Sequence, residues 1–228
     1  MNRLTYHGHS AFELVTTAGV RIMFDPWLNQ NPKSDIKVSD VKSLDFILVS
    51  HGHGDHFSDV IELARQTDAM VLATFELASL CQAKGVQRTH GMSVGGGYRF
   101  PFGYAKLTPA LHGTGIDGGA DGIYSTMPNG WWLDLGDARL YFAGDTALLT
   151  DMQLLQGRVD VALLPIGDNF TMGPEDAARA VEFIKPRTVI PMHYNTFDVI
   201  AQDPHAFKRL VGKQAEVAIL DPGESFEF

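Results

Sequence analysis

The stretch Ser50-His51-Gly52-His53-Gly54-Asp55-His56 decides the interpretation of this 228-residue chain. Three histidines and an aspartate fall within six residues, directly behind the apolar run Phe46-Ile47-Leu48-Val49. An apolar run that ends in such a cluster predicts a buried strand that delivers polar side chains to a loop at a sheet edge. The glycines allow a tight loop, and imidazole and carboxylate groups are ligands that Zn²⁺ and similar cations prefer. The stretch therefore predicts a metal site.

Helix capping is a competing interpretation of one of these residues. Asp55 comes shortly before the helical pattern Asp59-Val60-Ile61-Glu62-Leu63-Ala64, and an aspartate near a helix start can accept hydrogen bonds from free backbone N–H groups. Capping and metal binding do not exclude each other. The density of histidines in the loop favours the metal site.

Three further residues stand where a ligand from another strand would stand, at the end of an apolar run. They are His112 after 107–111, Asp145 after 140–144 and His193 after 189–192. Each alone has an ordinary interpretation: a loop histidine, a turn-forming aspartate or a hydrogen-bonded core histidine. Together with the loop they predict one shared site, because a zinc ion takes four ligands and a two-metal centre about seven or eight.

The pattern of strands and helices divides the chain into two blocks. Strand-like runs at 4–15 and 20–24 predict a hairpin and lead into alternating helix and strand up to Gly85. A glycine-rich antiparallel region at 91–141 leads into a second alternation that ends near Leu220. Two such blocks predict an α/β fold in which two sheets pack face to face between helices, a four-layer αββα sandwich. No linker is visible, so we expect a single domain over residues 1–228.

Composition and charge narrow the class of partner. The net charge is −9 and no Lys/Arg cluster occurs, which argues against nucleic acid. No run approaches the roughly 18 apolar residues of a membrane span, and the first residues lack a signal-peptide pattern. The single cysteine, Cys81, cannot form an internal disulfide and is expected to be buried. We expect a cytoplasmic protein with a small-molecule substrate. The sequence is also compatible with a homo-oligomer.

The motif His51-x-His53-x-Asp55-His56 resembles the signature of the metallo-β-lactamase superfamily of metal-dependent hydrolases. Four further stretches narrow the resemblance to a small branch known only as metal-dependent hydrolases. They are Thr-Tyr-His-Gly-His-Ser at 5–10, Gly-Asp-Thr at 144–146, Leu-Pro-Ile-Gly-Asp at 164–168 and Pro-Met-His-Tyr-Asn-Thr at 191–196. The resemblance extends from about Leu4 to the C-terminus.

The resemblance implies an αββα sandwich with the site in a cleft at one edge of the two sheets. It implies two divalent transition-metal ions, with zinc preferred and manganese, nickel or iron as alternatives. The ligands of the first metal would be His51, His53 and His112. Those of the second would be Asp55, His56 and His193, with Asp145 as the bridge. A metal-bridging hydroxide would then cleave an ester, lactone, thioester or phosphoester.

Other residues are expected to support this chemistry. No Gly-x-Ser-x-Gly elbow occurs, so water is the expected nucleophile, oriented and deprotonated by Asp55. His9 matches a position that the close family keeps, which predicts either a functional role, as a substrate contact or as a support for a ligand, or a simple structural role. Asp25 and Asp168 also end apolar runs and are expected to accept hydrogen bonds from ligand imidazoles or to form turns.

The remaining histidines, His7, His90 and His205, are expected to have surface or structural roles, since none has the context of a strand end. The loop at 113–122 is expected to border the cleft.

Three rival functions share part of this pattern. A mononuclear lactonase-like enzyme has a similar N-terminal Gly-His motif, and metal stoichiometry separates it from a dinuclear hydrolase. A diiron redox enzyme on the same scaffold generally replaces a loop histidine by a carboxylate, whereas His53 is intact. A non-catalytic metal-binding module would have no reason to keep a complete ligand set that includes Asp145.

Overall fold

Two seven-stranded sheets form the centre of the computed structural model, which describes residues 1–117 and 123–228. The first sheet contains β1 (Arg3–Tyr6), β2 (Phe12–Val15), β3 (Arg21–Phe24), β4 (Phe46–Leu48), β5 (Met70–Thr74), β6 (Thr89–Met92) and β16 (Ser225–Glu227). Its order is β16-β1-β2-β3-β4-β5-β6, with β3 to β6 parallel and the other pairs antiparallel.

The second sheet is built from the later part of the chain. It contains β7 (Gly97–Phe100), β8 (Gly103–Pro109), β11 (Asn129–Asp134), β12 (Arg139–Phe142), β13 (Val161–Pro165), β14 (Thr188–Met192) and β15 (Glu216–Val217). Its order is β15-β14-β13-β12-β11-β8-β7, antiparallel from β7 to β12 and parallel from β12 to β15. The antiparallel region predicted at 91–141 is therefore present.

A separate antiparallel pair is formed by β9 (Gly115–Asp117), which lies in the loop predicted at 113–122, and β10 (Ile123–Ser125), which follows that loop. Residues 118–122 of that loop lie outside the described residues, so its expected position beside the cleft stays a prediction.

Helices cover the outer faces of both sheets. They are α1 (Gly54–Phe57), α2 (Val60–Thr67), α3 (Phe75–Ala83), α4 (Pro174–Ile184) and α5 (Pro204–Val211), with short 3₁₀ helices at Val38–Asp40, Thr150–Leu155 and Asp198–Ile200. Leu63 of α2 and Leu77 of α3 share a buried cluster with Ile47 of the first sheet. Val181 of α4 and Phe207 of α5 belong to the larger cluster that includes the second sheet. The predicted αββα sandwich is confirmed. No helix in the described ranges is both long and apolar enough to span a membrane.

Strand alternation explains why the first sheet is buried on both faces. Phe24 and Leu48 belong to the core between the sheets, whereas Met23 and Ile47, one residue earlier, belong to the core under α2 and α3. Successive side chains of a strand point to opposite faces, so a strand between two layers has a continuous apolar sequence.

The prediction of one strand-like run over 4–15 was wrong. The chain reverses at residues 7–11, where His7 N donates to Ala11 O at 2.8 Å, and β1 and β2 pair with each other as a hairpin. Gly8 has φ 93° and His9 has φ 60°, in the left-handed region that a tight turn requires. The apolar pattern continues on both sides of this turn and therefore concealed it.

Candidate metal centre

The candidate site lies where strands of both sheets end at a common edge. His51, His53, Asp55 and His56 follow β4 of the first sheet, His112 follows β8, Asp145 follows β12, and His193 follows β14. Asp25 follows β3, and His9 comes from the turn between β1 and β2. The structure therefore brings together all seven residues predicted as ligands.

Asp145 occupies the centre of this group. Its Oδ2 atom is 3.0 Å from Nε2 of His193, 3.3 Å from Nε2 of His56, 3.4 Å from Nε2 of His112 and 3.9 Å from Nε2 of His51. The carboxylate side chain is only 3% exposed. A buried carboxylate oxygen with four imidazole nitrogens around it has the surroundings of a bridging metal ligand.

Most of the other ligand atoms fall into two clusters near Asp145, and a third group, Asp25, His51 and His56, links them. His51, His53 and His112 form one, with His53 Nδ1 3.0 Å from His51 Nε2 and 3.2 Å from His112 Nε2. Asp55, His56, His193 and His9 form the other. Within each cluster the ligand atoms lie within 4.8 Å of one another. This division matches the two ligand sets implied by the resemblance, with His9 as an additional member.

Asp25 and Ser50 orient two of the imidazoles. Nδ1 of His56 donates to Oδ2 of Asp25 at 2.8 Å, which turns Nε2 of His56 toward Asp145. Ser50 Oγ is 2.9 Å from Nδ1 of His51 and also donates to Asp25. A carboxylate that accepts a hydrogen bond from one ring nitrogen of a histidine fixes the tautomer and the ring orientation of that metal ligand. Asp25 thus has the supporting geometry that was expected of it.

His9 is buried and holds Asp55. Its Nε2 is 3.1 Å from Oδ2 of Asp55, its Nδ1 is 2.9 Å from Oγ1 of Thr196, and its side chain is 0% exposed. Burial and the neighbouring His193 lower the pKa of His9 to about 3, so its imidazole is neutral. Of the roles expected for His9, the geometry favours support of Asp55 over substrate contact.

The histidines of the first cluster are in the neutral form that can bind a cation. Burial lowers the pKa of His51 well below its ordinary value, and the neighbouring His56 lowers it further. Burial likewise lowers the pKa values of His53 and His112. Metal binding requires imidazoles without the extra proton, and these three rings are already neutral.

Histidines of the second cluster stabilise the charged form of the Asp145 carboxylate. Burial raises the pKa of Asp145, but His193 and His56 outweigh this effect and hold the pKa well below its usual range. Burial lowers the pKa of His56, but Asp145 and Asp55 outweigh it and hold the pKa above its usual range. A divalent cation would replace the proton that His56 carries here.

Unpaired buried atoms also fit a metal. Nε2 of His56, Oδ1 of Asp145 and both ring nitrogens of His193 are buried without a hydrogen-bond partner. Such groups are costly unless something satisfies them. Coordination of a cation would satisfy Nε2 of His56, Nε2 of His193 and the Asp145 carboxylate, although not Nδ1 of His193, so the donor set fits the group that the motif predicts.

Unusual backbone conformations concentrate around the site. Asp25, Asp168, Asn169, His193 and Asn195 have φ between 40° and 60°, as does His9 in its turn. This left-handed region is uncommon for residues other than glycine and is retained at sites where the surrounding structure enforces it. The conformation of His193 is held by a hydrogen bond from its backbone N to His9 O at 2.8 Å.

Several predicted residues have other roles. Asp168 accepts a hydrogen bond from Asn169 N at 2.9 Å and forms a turn. His7 directly follows β1, contrary to our expectation that it lay away from a strand end, but its ring pairs with Asp35 at 2.8 Å. His90 packs against Tyr98, at 4.6 Å between ring centroids. These contacts are structural, as expected for His7 and His90.

Sequence reasoning missed Ser50, Thr196 and Phe170. Ser50 precedes the histidine motif and Thr196 ends the stretch 191–196, so both stood within quoted motifs without an assigned role. Phe170 had no sequence signal. It lines a cleft of about 190 Å³ together with His53, Asp55, His112, Asp145 and His193.

Comparisons with known proteins agree with the interpretation of the site as a metal centre. A family model described as "Beta-lactamase superfamily domain" matches residues 20–194. A UPF0173 metal-dependent hydrolase from Heliobacterium modesticaldum is 47% identical over 233 residues, covering 99% of this chain and 97% of the relative. One from Bacillus cytotoxicus is 50% identical over 228 residues, covering 98% of each.

A solved structure, Igni18, described as a novel metallo hydrolase from the archaeon Ignicoccus hospitalis, has a TM-score of 0.89 at 36% identity. The alignment covers 100% of this chain and 99% of that one.

The chain therefore belongs to the β-lactamase superfamily, the class that the paired sheets and the histidine-rich cleft define. Within it, the chain belongs to the UPF0173 family, whose members carry the name metal-dependent hydrolase. The resemblance drawn from the sequence motifs is confirmed.

Proposed function

We propose that this protein is a single-domain, dinuclear metal-dependent hydrolase that cleaves an ester, lactone, thioester or phosphoester of a small molecule. The observation that carries the proposal is the position of Asp145, with one oxygen within 3.9 Å of four histidine Nε2 atoms drawn from both ligand clusters. A complete ligand set with a buried carboxylate at its centre supports a catalytic metal centre over a non-catalytic module.

His51, His53 and His112 would hold one ion, Asp55, His56 and His193 the second, and Asp145 both. When bound, two divalent cations would lower the pKa of a water molecule and polarise the carbonyl or phosphoryl group under attack. Zinc suits the imidazole-rich first set, while manganese, nickel or iron fit the same ligand types.

Asp55 is the residue to which we assign proton transfer. Its side chain is 26% exposed and lines the cleft, while His9 holds its Oδ2 atom at 3.1 Å. A carboxylate restrained in this way can orient a water and accept its proton. Cys81 does not compete as a nucleophile, since it is buried in the core under α2 and α3.

Metal stoichiometry tests the proposal. Metal-stripped protein would be reconstituted with Zn²⁺, Mn²⁺ or Ni²⁺, desalted and assayed by elemental analysis, with turnover of p-nitrophenyl acetate and bis(p-nitrophenyl) phosphate measured in parallel. We expect two ions per chain and hydrolysis of at least one substrate.

Asp145→Asn should lose at least one ion and most of the turnover, whereas Asp168→Asn, whose carboxylate serves a turn, should keep both. A single ion bound by active protein would favour the mononuclear alternative. Absence of any bound ion after reconstitution would show that the proposal is wrong.

A further inference from the structure

Three large apolar side chains are exposed beside the candidate centre. Leu111 is 63% exposed, Phe170 is 53% exposed and Phe197 is 40% exposed. Leu111 immediately precedes His112, Phe170 lines the cleft, and Phe197 packs against His9 at 5.7 Å between ring centroids. We call these three residues the apolar rim. Exposed apolar groups are common singly, but grouped around a site they mark a binding surface.

The backbone holds two members of the rim next to Asp145. Thr146, the residue after Asp145, accepts a hydrogen bond from Leu111 N on its Oγ1 at 3.0 Å. Its carbonyl oxygen accepts one from Met172 N at 3.0 Å, which fixes the turn that carries Phe170. Leu111 and Phe170 are therefore anchored to the same residue.

The turn at 168–172 is built in an uncommon conformation. Asp168 and Asn169 have φ of 60° and 50°, and Asp168 N donates to Met172 O at 3.1 Å. A conformation of this kind is costly for residues other than glycine and persists only when the surroundings enforce it. Phe170 is thus presented to the cleft by a restrained turn.

The third member, Phe197, packs beside His9 and Trp27. The ring of Phe197 stacks on Trp27 at 5.7 Å and 29°, and Trp27 also packs edge-on against His9 at 5.2 Å. Trp27 is only 7% exposed, so Phe197 has a firm apolar support.

No cationic side chain complements the cleft. The six residues that line it in the described part of the chain are three histidines, two aspartates and Phe170. All 18 lysines and arginines belong to the described ranges, and none is among these six. A substrate carboxylate or phosphate is usually held by Arg or Lys, which offer charge-assisted hydrogen bonds.

We propose that the substrate is an uncharged acyl compound, an ester, lactone or thioester, whose apolar group binds against Phe170 and the rest of the apolar rim. This inference rests on the proposed function, because the reacting carbonyl must meet the metal centre. It assigns Phe170 and Leu111 to substrate specificity.

Binding of hydroxamic acids tests the inference without turnover, since the head group is neutral in solution, gives up its proton to bind metal as the hydroxamate, and leaves the tail free to be varied. Zinc-loaded protein would be titrated by calorimetry with acetohydroxamic acid, octanohydroxamic acid and the monohydroxamic acid of suberic acid, whose tail ends in a carboxylate. We expect the octanoyl compound to bind at least about tenfold more tightly than the acetyl compound, since burial of two methylenes is worth roughly that factor. The suberic compound should lose this advantage.

Substitutions in the apolar rim test whether the tighter binding of the octanoyl compound arises there. Phe170→Ala should reduce the octanoyl advantage at least about threefold and leave acetohydroxamate binding unchanged, with Leu111→Ala acting in the same direction. Phe170→Leu should keep most of the advantage. Phe75→Ala and Leu210→Ala are matched controls, because Phe75 on α3 is 62% exposed and Leu210 on α5 is 45% exposed, and neither lines the cleft.

Four results would overturn the inference. They are equal affinity for the acetyl and octanoyl compounds, tighter binding of the suberic compound than of the octanoyl one, an octanoyl advantage that survives Phe170→Ala, and loss of both affinities together in that variant. If the protein holds two zinc ions but shows one of these results, the proposed function stands and only the substrate class is wrong. If it holds no zinc and binds no hydroxamate, both proposals are wrong.

Discussion

At the scale of single residues, His9 is a buried side chain whose contacts lead to a prediction about the candidate site. Its two ring nitrogens are engaged by Asp55 and Thr196, and its carbonyl accepts from the backbone of His193. We predict that His9→Gln lowers the zinc affinity of the second metal site, or the hydrolytic activity, by about 10–100-fold. Groups that hydrogen-bond to metal ligands have effects of this size. Zinc titration with a competing chelator measures it.

The control for this prediction is His90→Gln, because His90 packs on Tyr98 away from the ligand clusters. Zinc affinity in His9→Gln equal to that of the wild type would mean that His9 does not position Asp55.

Cys81 illustrates the opposite case, a chemically capable residue that the fold makes inert. It is 0% exposed, and burial raises its pKa to about 12. The thiolate is the reactive form, so lowering its population slows alkylation and disulfide exchange. We predict no measurable reaction of the native protein with Ellman's reagent at mildly alkaline pH and one thiol per chain in concentrated guanidinium chloride. Rapid stoichiometric labelling of the native protein would contradict this prediction.

At the scale of elements, the turn between β1 and β2 links the first hairpin to the site. Gly8 has φ 93°, and a Cβ atom there would lie 3.1 Å from the backbone carbonyl of Lys33. We predict that Gly8→Ala lowers the free energy of unfolding by more than about 1 kcal/mol, because both the conformation and the contact oppose a side chain. Because the same turn carries His9, zinc affinity should fall as well. Urea denaturation and zinc titration measure the two effects.

Gly19→Ala is the matched control, since Gly19 has φ 80° in the neighbouring turn but a Cβ atom there would meet no other atom within 4 Å. Gly19→Ala should lower the free energy of unfolding only through the strained backbone conformation, and zinc affinity should not change. Equal destabilisation by the two substitutions would show that contact with Lys33 contributes nothing.

At the scale of the whole molecule, aromatic packing holds the two sheets together beneath the site. Phe142 of the second sheet stacks on Phe24 of the first at 5.0 Å and contacts Phe12 at 6.5 Å. We predict that Phe142→Ala lowers the free energy of unfolding by about 3–5 kcal/mol, the usual cost of removing a buried phenylalanine. Chemical denaturation of the metal-free protein measures it without the stabilisation that bound metal adds.

Leu210→Ala provides the comparison, because Leu210 is exposed on α5 and its loss should change stability by less than about 0.5 kcal/mol. A Phe142→Ala cost as small as that of Leu210→Ala would mean that the two sheets are not held together through this contact.

The class of fold and the seven candidate ligands could be predicted from the amino-acid sequence alone. Alternating apolar runs and helical patterns are local properties, so they predict layers, and the two sheets and their covering helices confirm those layers. His112, Asp145 and His193 could be selected because each ends an apolar run, and strands of such sheets meet at a common edge.

Only the tertiary structure decided the arrangement of those residues and their surroundings. The division into two clusters around Asp145 depends on distances between strands that are far apart in the chain, as do the support of Asp55 by His9 and the anchoring of Phe170 through Thr146. The turn at Gly8 and His9 left no trace in the apolar pattern, since the pattern resumes on both sides. Local sequence specifies which side chains an element carries, whereas packing between elements sets which of them come within bonding distance.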